Sequence, residues 1–118
     1  MIQQQQLNFA FVEEIFEAKE EYIHFLLLMQ AEFQEAMDSI SRAICSKDLY
    51  ALRKTLHNVE PHLKMLAATN LEATLAHIKS SLSTESLSEE VKKSLIQRVM
   101  YEFEELLTNL SENIKENQ

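Results

Sequence analysis

The stretch Leu52-Arg53-Lys54-Thr55-Leu56-His57-Asn58-Val59-Glu60-Pro61-His62-Leu63-Lys64-Met65-Leu66 decides the fold. Wound as a helix at about 100° per residue, it sets Leu52, Leu56, Val59, Leu63 and Leu66 on one apolar stripe. The 4-3-4-3 spacing of that stripe is that of a helical-bundle seam. His57 points about 140° away from the centre of the stripe, towards solvent. Arg53, Lys54 and Lys64 fall on its side of the helix, and Pro61 and Ala68 are expected one and three turns further along the same face.

Composition supports an all-helical reading and removes several function classes. The chain has 118 residues, enough for one domain with its own core. It contains no glycine and a single proline. Glycine-rich phosphate loops, dinucleotide fingerprints and nucleophile elbows need glycine where backbone turns tightly or approaches a ligand, so none of these devices operates here. Hairpin turns would lack their preferred residue as well. A net charge of −8 opposes general nucleic-acid binding, which relies on a basic face. The single cysteine, Cys45, has no intramolecular partner and suggests a reducing compartment. The longest apolar run, Phe25-Leu26-Leu27-Leu28-Met29, is too short for a bilayer, and Met1-Ile2-Gln3-Gln4-Gln5-Gln6 lacks the character of a signal peptide. A cytoplasmic location without membrane association is therefore expected.

The same periodicity organises the rest of the chain. Residues 1–6 are expected to fray. Leu7, Phe11, Val12, Ile15 and Phe16 describe a short apolar helix that covers one end of a bundle. A second helix begins around Ala18-Lys19-Glu20-Glu21, where acidic residues suit the positive dipole end. It carries Tyr22, Leu26, Met29, Phe33, Met37, Ile40 and Ile44 on its apolar face and ends near Ser46-Lys47-Asp48, with Ser46 or Asp48 free to cap the next helix. The third helix spans about Leu49 to Ala67. Thr69 and Glu72 form a capping box for a fourth, whose face Leu71, Leu75 and Ile78 runs to about Leu82. Ser80 to Ser88 reads as the one clear loop, and Ser86 with Glu89 as a second capping box. The last helix buries Val91, Leu95, Val99, Phe103, Leu106, Leu110 and Ile114 and frays at Glu116-Asn117-Gln118. The expected architecture is an antiparallel four-helix bundle with a short additional N-terminal helix, a single domain over residues 1–118.

Chemistry has few places to reside. Glu21-Tyr22-Ile23-His24 has the Glu-x-x-His spacing of di-iron bundles, but those sites need a second such pair and two further inward glutamates, and the sequence offers no second pair. No metal and no cofactor are expected. His57 and His62 are five residues apart, about 140° around the helix, so they do not share an ion readily. His62 and His77 read as bundle-edge residues. Cys45 lies at the wrong end of a helix for an activated thiol and reads as a buried structural residue. His57 is the remaining candidate. A neutral imidazole can attack phosphorus through a ring nitrogen, and the transfer needs mainly positioning and positive charge around the phosphoryl oxygens. Most exposed histidines have no such role.

The segment around His57 resembles the histidine-containing phosphotransfer (HPt) domain, whose third helix carries H-x-L-K-G followed by a leucine-glycine pair. His57-Asn58-Val59-Glu60-Pro61 stands in the place of the pentapeptide and Leu66-Ala67-Ala68 in the place of L-G-A, with Leu71 and Leu75 on two later leucines. Upstream, Phe33, Asp48 and Leu52 match the family's run before its histidine, and Glu20-Glu21-Tyr22-Ile23 its acidic opening of the second helix. The likeness covers nearly the whole chain in helix order and length. It implies a phosphorelay carrier with His57 as phospho-acceptor, Arg53 and Lys64 supporting the phosphoryl charge, and Lys54 helping to dock the partner. The implied partner is the receiver domain of a response regulator and/or a hybrid histidine kinase. The chain would then be a carrier in two-component signalling and not a stand-alone enzyme, and a monomer is expected. Glu60 replaces the family lysine and Pro61 the family glycine. A carboxylate at that place repels phosphate, so the alternative is a module that binds receiver domains without transfer.

Overall fold

The computed structural model describes residues 7–84 and 87–118, which form five α-helices and no strand. These are α1 (Phe9–Ile15), α2 (Lys19–Ser46), α3 (Leu49–Met65), α4 (Thr69–Thr84) and α5 (Glu89–Asn117). The fraying expected of residues 1–6 and the capping role expected of Ser86 lie outside the described residues.

Each long helix exists because one stripe of it is removed from water. In α2 the stripe is Tyr22, Leu26, Met29, Phe33, Met37, Ile40 and Ile44, and in α3 it is Leu52, Leu56, Val59 and Leu63, with buried Leu66 following as the C-cap. α4 contributes Leu71, Leu75, Ile78 and Leu82, and α5 the series from Leu95 to Ile114. These residues form one continuous core. α2 packs against α3 and α5, α3 against α4, and α4 against α5. Phe33 and Phe103 meet across α2 and α5 with ring centroids 6.4 Å apart. Polar groups fix the lengthwise register: the Tyr22 hydroxyl donates to Asn113 Oδ1 at 2.6 Å, and the Thr74 hydroxyl to Glu102 Oε1 at 2.9 Å.

Helix ends show how a chain without glycine turns. Asp48 caps α3 by accepting the Ala51 amide at 3.0 Å, and Ser88 caps α5 by accepting that of Val91. At the C-terminal ends, Lys47 (φ 56°) and Ala67 (φ 57°) take the left-handed conformation that glycine usually supplies. The following amides close each helix, Asp48 to the Ala43 carbonyl and Ala68 to that of Leu63, both at 2.9 Å.

Several sequence expectations are corrected. α3 ends at Met65, two residues short of Ala67, so Ala68 leaves the His57 face and is wholly buried. α4 includes Thr69 and continues to Thr84, so residues 80–84 of the serine-rich stretch are helical. There the Ser83 hydroxyl donates back to the Lys79 carbonyl at 2.7 Å. α5 runs to Asn117 without fraying at 116, and Val91, in its first turn, is exposed. In α1 only Val12 is wholly buried, while Phe11 and Ile15 face outward. This helix still covers one end of the core: the Asn8 amide donates to the Leu66 carbonyl at 2.8 Å, and Phe16 packs on Phe25. Cys45 is exposed, because the Ala43 and Ile44 positions beside it take the core side of α2.

Among the described residues, no helix is long and apolar enough to cross a membrane.

Candidate functional site

α3 positions the candidate site. Its buried seam fixes the rotation of the helix, and that rotation leaves His57 exposed at mid-helix. Arg53, Lys54, Glu60, Pro61 and Lys64 are exposed around it. Exposure alone does not single out His57, since His24 and His77 are exposed too. The neighbours one turn away do. Positions three and four residues distant adjoin a helical side chain. For His24 these are Glu20, Glu21, Leu27 and Leu28, and for His77 they are Ala73, Thr74, Ser80 and Ser81. For His57 they include Arg53 and Lys54. Among the described residues it is the one exposed histidine with cations three or four positions away on its own helix.

Tyr50 belongs to the same face and was not picked out in the sequence. Tyr50, Lys54, His57, Pro61 and Lys64 repeat the 4-3-4-3 spacing of the buried seam on the opposite side of α3. Tyr50 is 79% exposed, the highest value of any large hydrophobic residue described. The outward stripe is detectable by the same periodicity that finds the inward one. It is overlooked because an exposed aromatic breaks no rule of core patterning.

On the α2 side of this stripe runs a groove of ≈ 510 Å³. Its lining includes Arg42, Lys54, Thr55 and Asn58, with Glu32, Glu35 and Asp48 supplying opposite charge. Beyond it, half-buried His62 brings Nδ1 to 2.8 Å from Glu32 Oε2, a close approach that is not an aligned hydrogen bond. Its ring meets Phe25 edge-on at 6.2 Å. His62 therefore lies at the α2–α3 seam, touching Glu32 and Phe25 across it.

Pro61, Glu60 and Ala67, where the chain differs from the HPt pattern that its sequence resembles, have visible structural settings. Pro61 lacks an amide hydrogen, so the His57 carbonyl has no helical donor four residues on, yet α3 continues past it to Met65. Glu60 is exposed, and its side chain has no hydrogen bond or ion pair among the described residues, even with Lys64 four positions on. At the spacing of one helical turn, its repulsion of a phosphoryl group on His57 is on the order of 1 kcal/mol in bulk water. Ala67 stands where the family has glycine, in a left-handed conformation that glycine would take without strain. The substitution bears on the turn after α3 and not only on helix packing.

Glu21 and His24, the candidate metal pair, sit beside an apolar hollow lined by Phe16, Phe25 and Leu28. Among the described residues, no three His, Cys, Asp or Glu side chains gather in a way that could hold an ion. The chain matches no protein-family model, no curated protein and no solved structure.

Proposed function

We propose that the chain is a phosphorelay carrier of HPt type, which accepts a phosphoryl group on His57 and exchanges it with the receiver domains of response regulators. The observation that carries this reading is the exposed mid-helix imidazole with Arg53 and Lys54 one turn away, a setting that neither His24 nor His77 shares. In this reading the four long helices form an antiparallel bundle. The succession of packed pairs α2–α3, α3–α4, α4–α5 and α5–α2 supports that arrangement, as does the bond from the start of α2 to the end of α5.

The chemistry is a single displacement. The neutral ring of His57 attacks phosphorus of the receiver's aspartyl phosphate, a nitrogen–phosphorus bond forms, and the acyl phosphate P–O bond breaks to release the aspartate carboxylate. Arg53 and Lys64 offset charge on the phosphoryl oxygens, and Lys54 meets the acidic surface of the partner. The receiver supplies its own metal ion, so the carrier needs rigidity and exposure more than catalytic groups. No cofactor belongs to this scheme, and the carrier works inside the cell as a monomer, apart from nucleic acid and membrane.

Incubation with a phosphorylated receiver domain tests the reading. Acid-labile, alkali-stable phosphate is expected on the wild-type chain and not on His57→Gln. Absence of such phosphate on the wild type, or equal labelling of the variant, would refute it. Glu60 favours a second reading, a module that binds receivers without transfer. Receiver binding that survives His57→Ala, combined with no labelling of the wild type, would establish that alternative.

A further inference from the structure

Glu60 lies one turn from His57, so a domain that reaches the imidazole also covers this carboxylate. A standard interface takes about 800 Å² from each partner, and a group one turn from the reacting atom falls well inside that area. Glu60 enters such an interface with no partner among the described residues of its own chain. Removing an unpaired carboxylate from water carries a large penalty unless the other surface supplies a cation. Arg53, Lys54 and Lys64 around it are exposed and require the opposite sign.

We propose that Glu60 is a specificity determinant, selecting a receiver whose docking face is acidic against Arg53, Lys54 and Lys64 but presents one lysine or arginine against Glu60. This rests on the carrier reading above and names the partner's charge pattern. The pairing also neutralises Glu60 when water is excluded, which is when its repulsion of the phosphoryl group would otherwise grow. Receivers with a wholly acidic face are rejected by like charge.

The test compares wild type, Glu60→Gln and Glu60→Lys, all expected to fold alike because Glu60 is exposed and unpaired. Potassium phosphoramidate, which loses ammonia as its phosphorus joins the ring nitrogen, first loads His57 without any partner. At physiological salt, loading should rise only about twofold in Glu60→Gln and about fivefold in Glu60→Lys, because ions roughly halve the repulsion that acts in bulk water. Transfer to a receiver that exchanges with the wild type should then fall about tenfold or more in Glu60→Lys, with Glu60→Gln between. Reversing the charge of the receiver's exposed lysines and arginines one at a time should yield one variant that restores transfer with Glu60→Lys and loses it with wild type. Equal or faster transfer by Glu60→Lys, or failure of every reversal to restore it, overturns the proposal. If phosphoramidate loads Glu60→Lys far beyond that expected gain, Glu60 acts on the phosphate and not on the partner, which also overturns it. If no receiver exchanges phosphate with the wild type, the carrier reading itself falls and takes this proposal with it.

Discussion

Tyr22 shows at the scale of a residue how function-neutral stability is built and how it depends on pH. Its ring is buried and its hydroxyl donates to Asn113, ninety-one residues away in sequence. Burial first, and the nearby Glu13 carboxylate second, raise the phenol above its ordinary value of 10.0. The folded state therefore holds this proton more tightly than the unfolded chain. That stabilisation is complete below pH 10 and is lost as pH rises from there through the raised value. Urea unfolding across pH 9–12 should show an alkaline decline that is flatter in Tyr22→Phe, at a cost near neutrality of about 1 kcal/mol for the lost hydrogen bond. Glu60 and Tyr50 matter at the same scale for a different reason. Both are exposed on the His57 face, where solvent-facing residues contribute little to folding and are free to serve recognition.

Among the elements, the long helices were legible, as were the end of α2 at Ser46 and the Asp48 cap of α3, whereas the C-terminal ends of α3, α4 and α5 were not. The buried stripes of α2 and α3 match the periodic positions because one-sided burial is what a 3.6-residue repeat encodes. Helix C-termini are usually signalled by glycine, and this chain has none. Lys47 and Ala67 do that work instead, and nothing in either residue type announces a left-handed turn. α1 misled in another way, since Phe11 and Ile15 are apolar yet point outward from a helix only seven residues long. Ala67→Gly should stabilise the protein by up to about 1 kcal/mol, the relief of left-handed strain exceeding the added freedom of the unfolded chain. A thermal melt would show it. Pro61→Ala restores a donor to the His57 carbonyl and should stabilise α3 by about 1–3 kcal/mol, read from the urea midpoint. An unchanged midpoint would mean that the helix has already absorbed the missing bond.

In the whole molecule, a single core holds all four long helices, so damage at its centre is shared by every element. Phe33→Ala should cost about 3–5 kcal/mol, a large part of the stability of a domain this size, and should broaden or abolish the unfolding transition. How the helices pair was only partly legible. Stripe patterns say which face is buried but not against which neighbour, and the Glu32–His62 contact and the groove beside Lys54 exist only once α2 and α3 are side by side. The candidate site was legible in its central residue, because His57 is placed by the rotation of α3 alone. Its surroundings were less so, since Tyr50 gave no core signal and the isolation of Glu60 depends on side-chain placement. The most direct test is phosphoryl transfer from a phosphorylated receiver domain to four chains, each with one histidine, at position 24, 57, 62 or 77, replaced by glutamine. The expected result is acid-labile phosphate on three of them and none on His57→Gln. Label that persists in His57→Gln, or that vanishes with His24→Gln or His77→Gln instead, would contradict the assignment of His57.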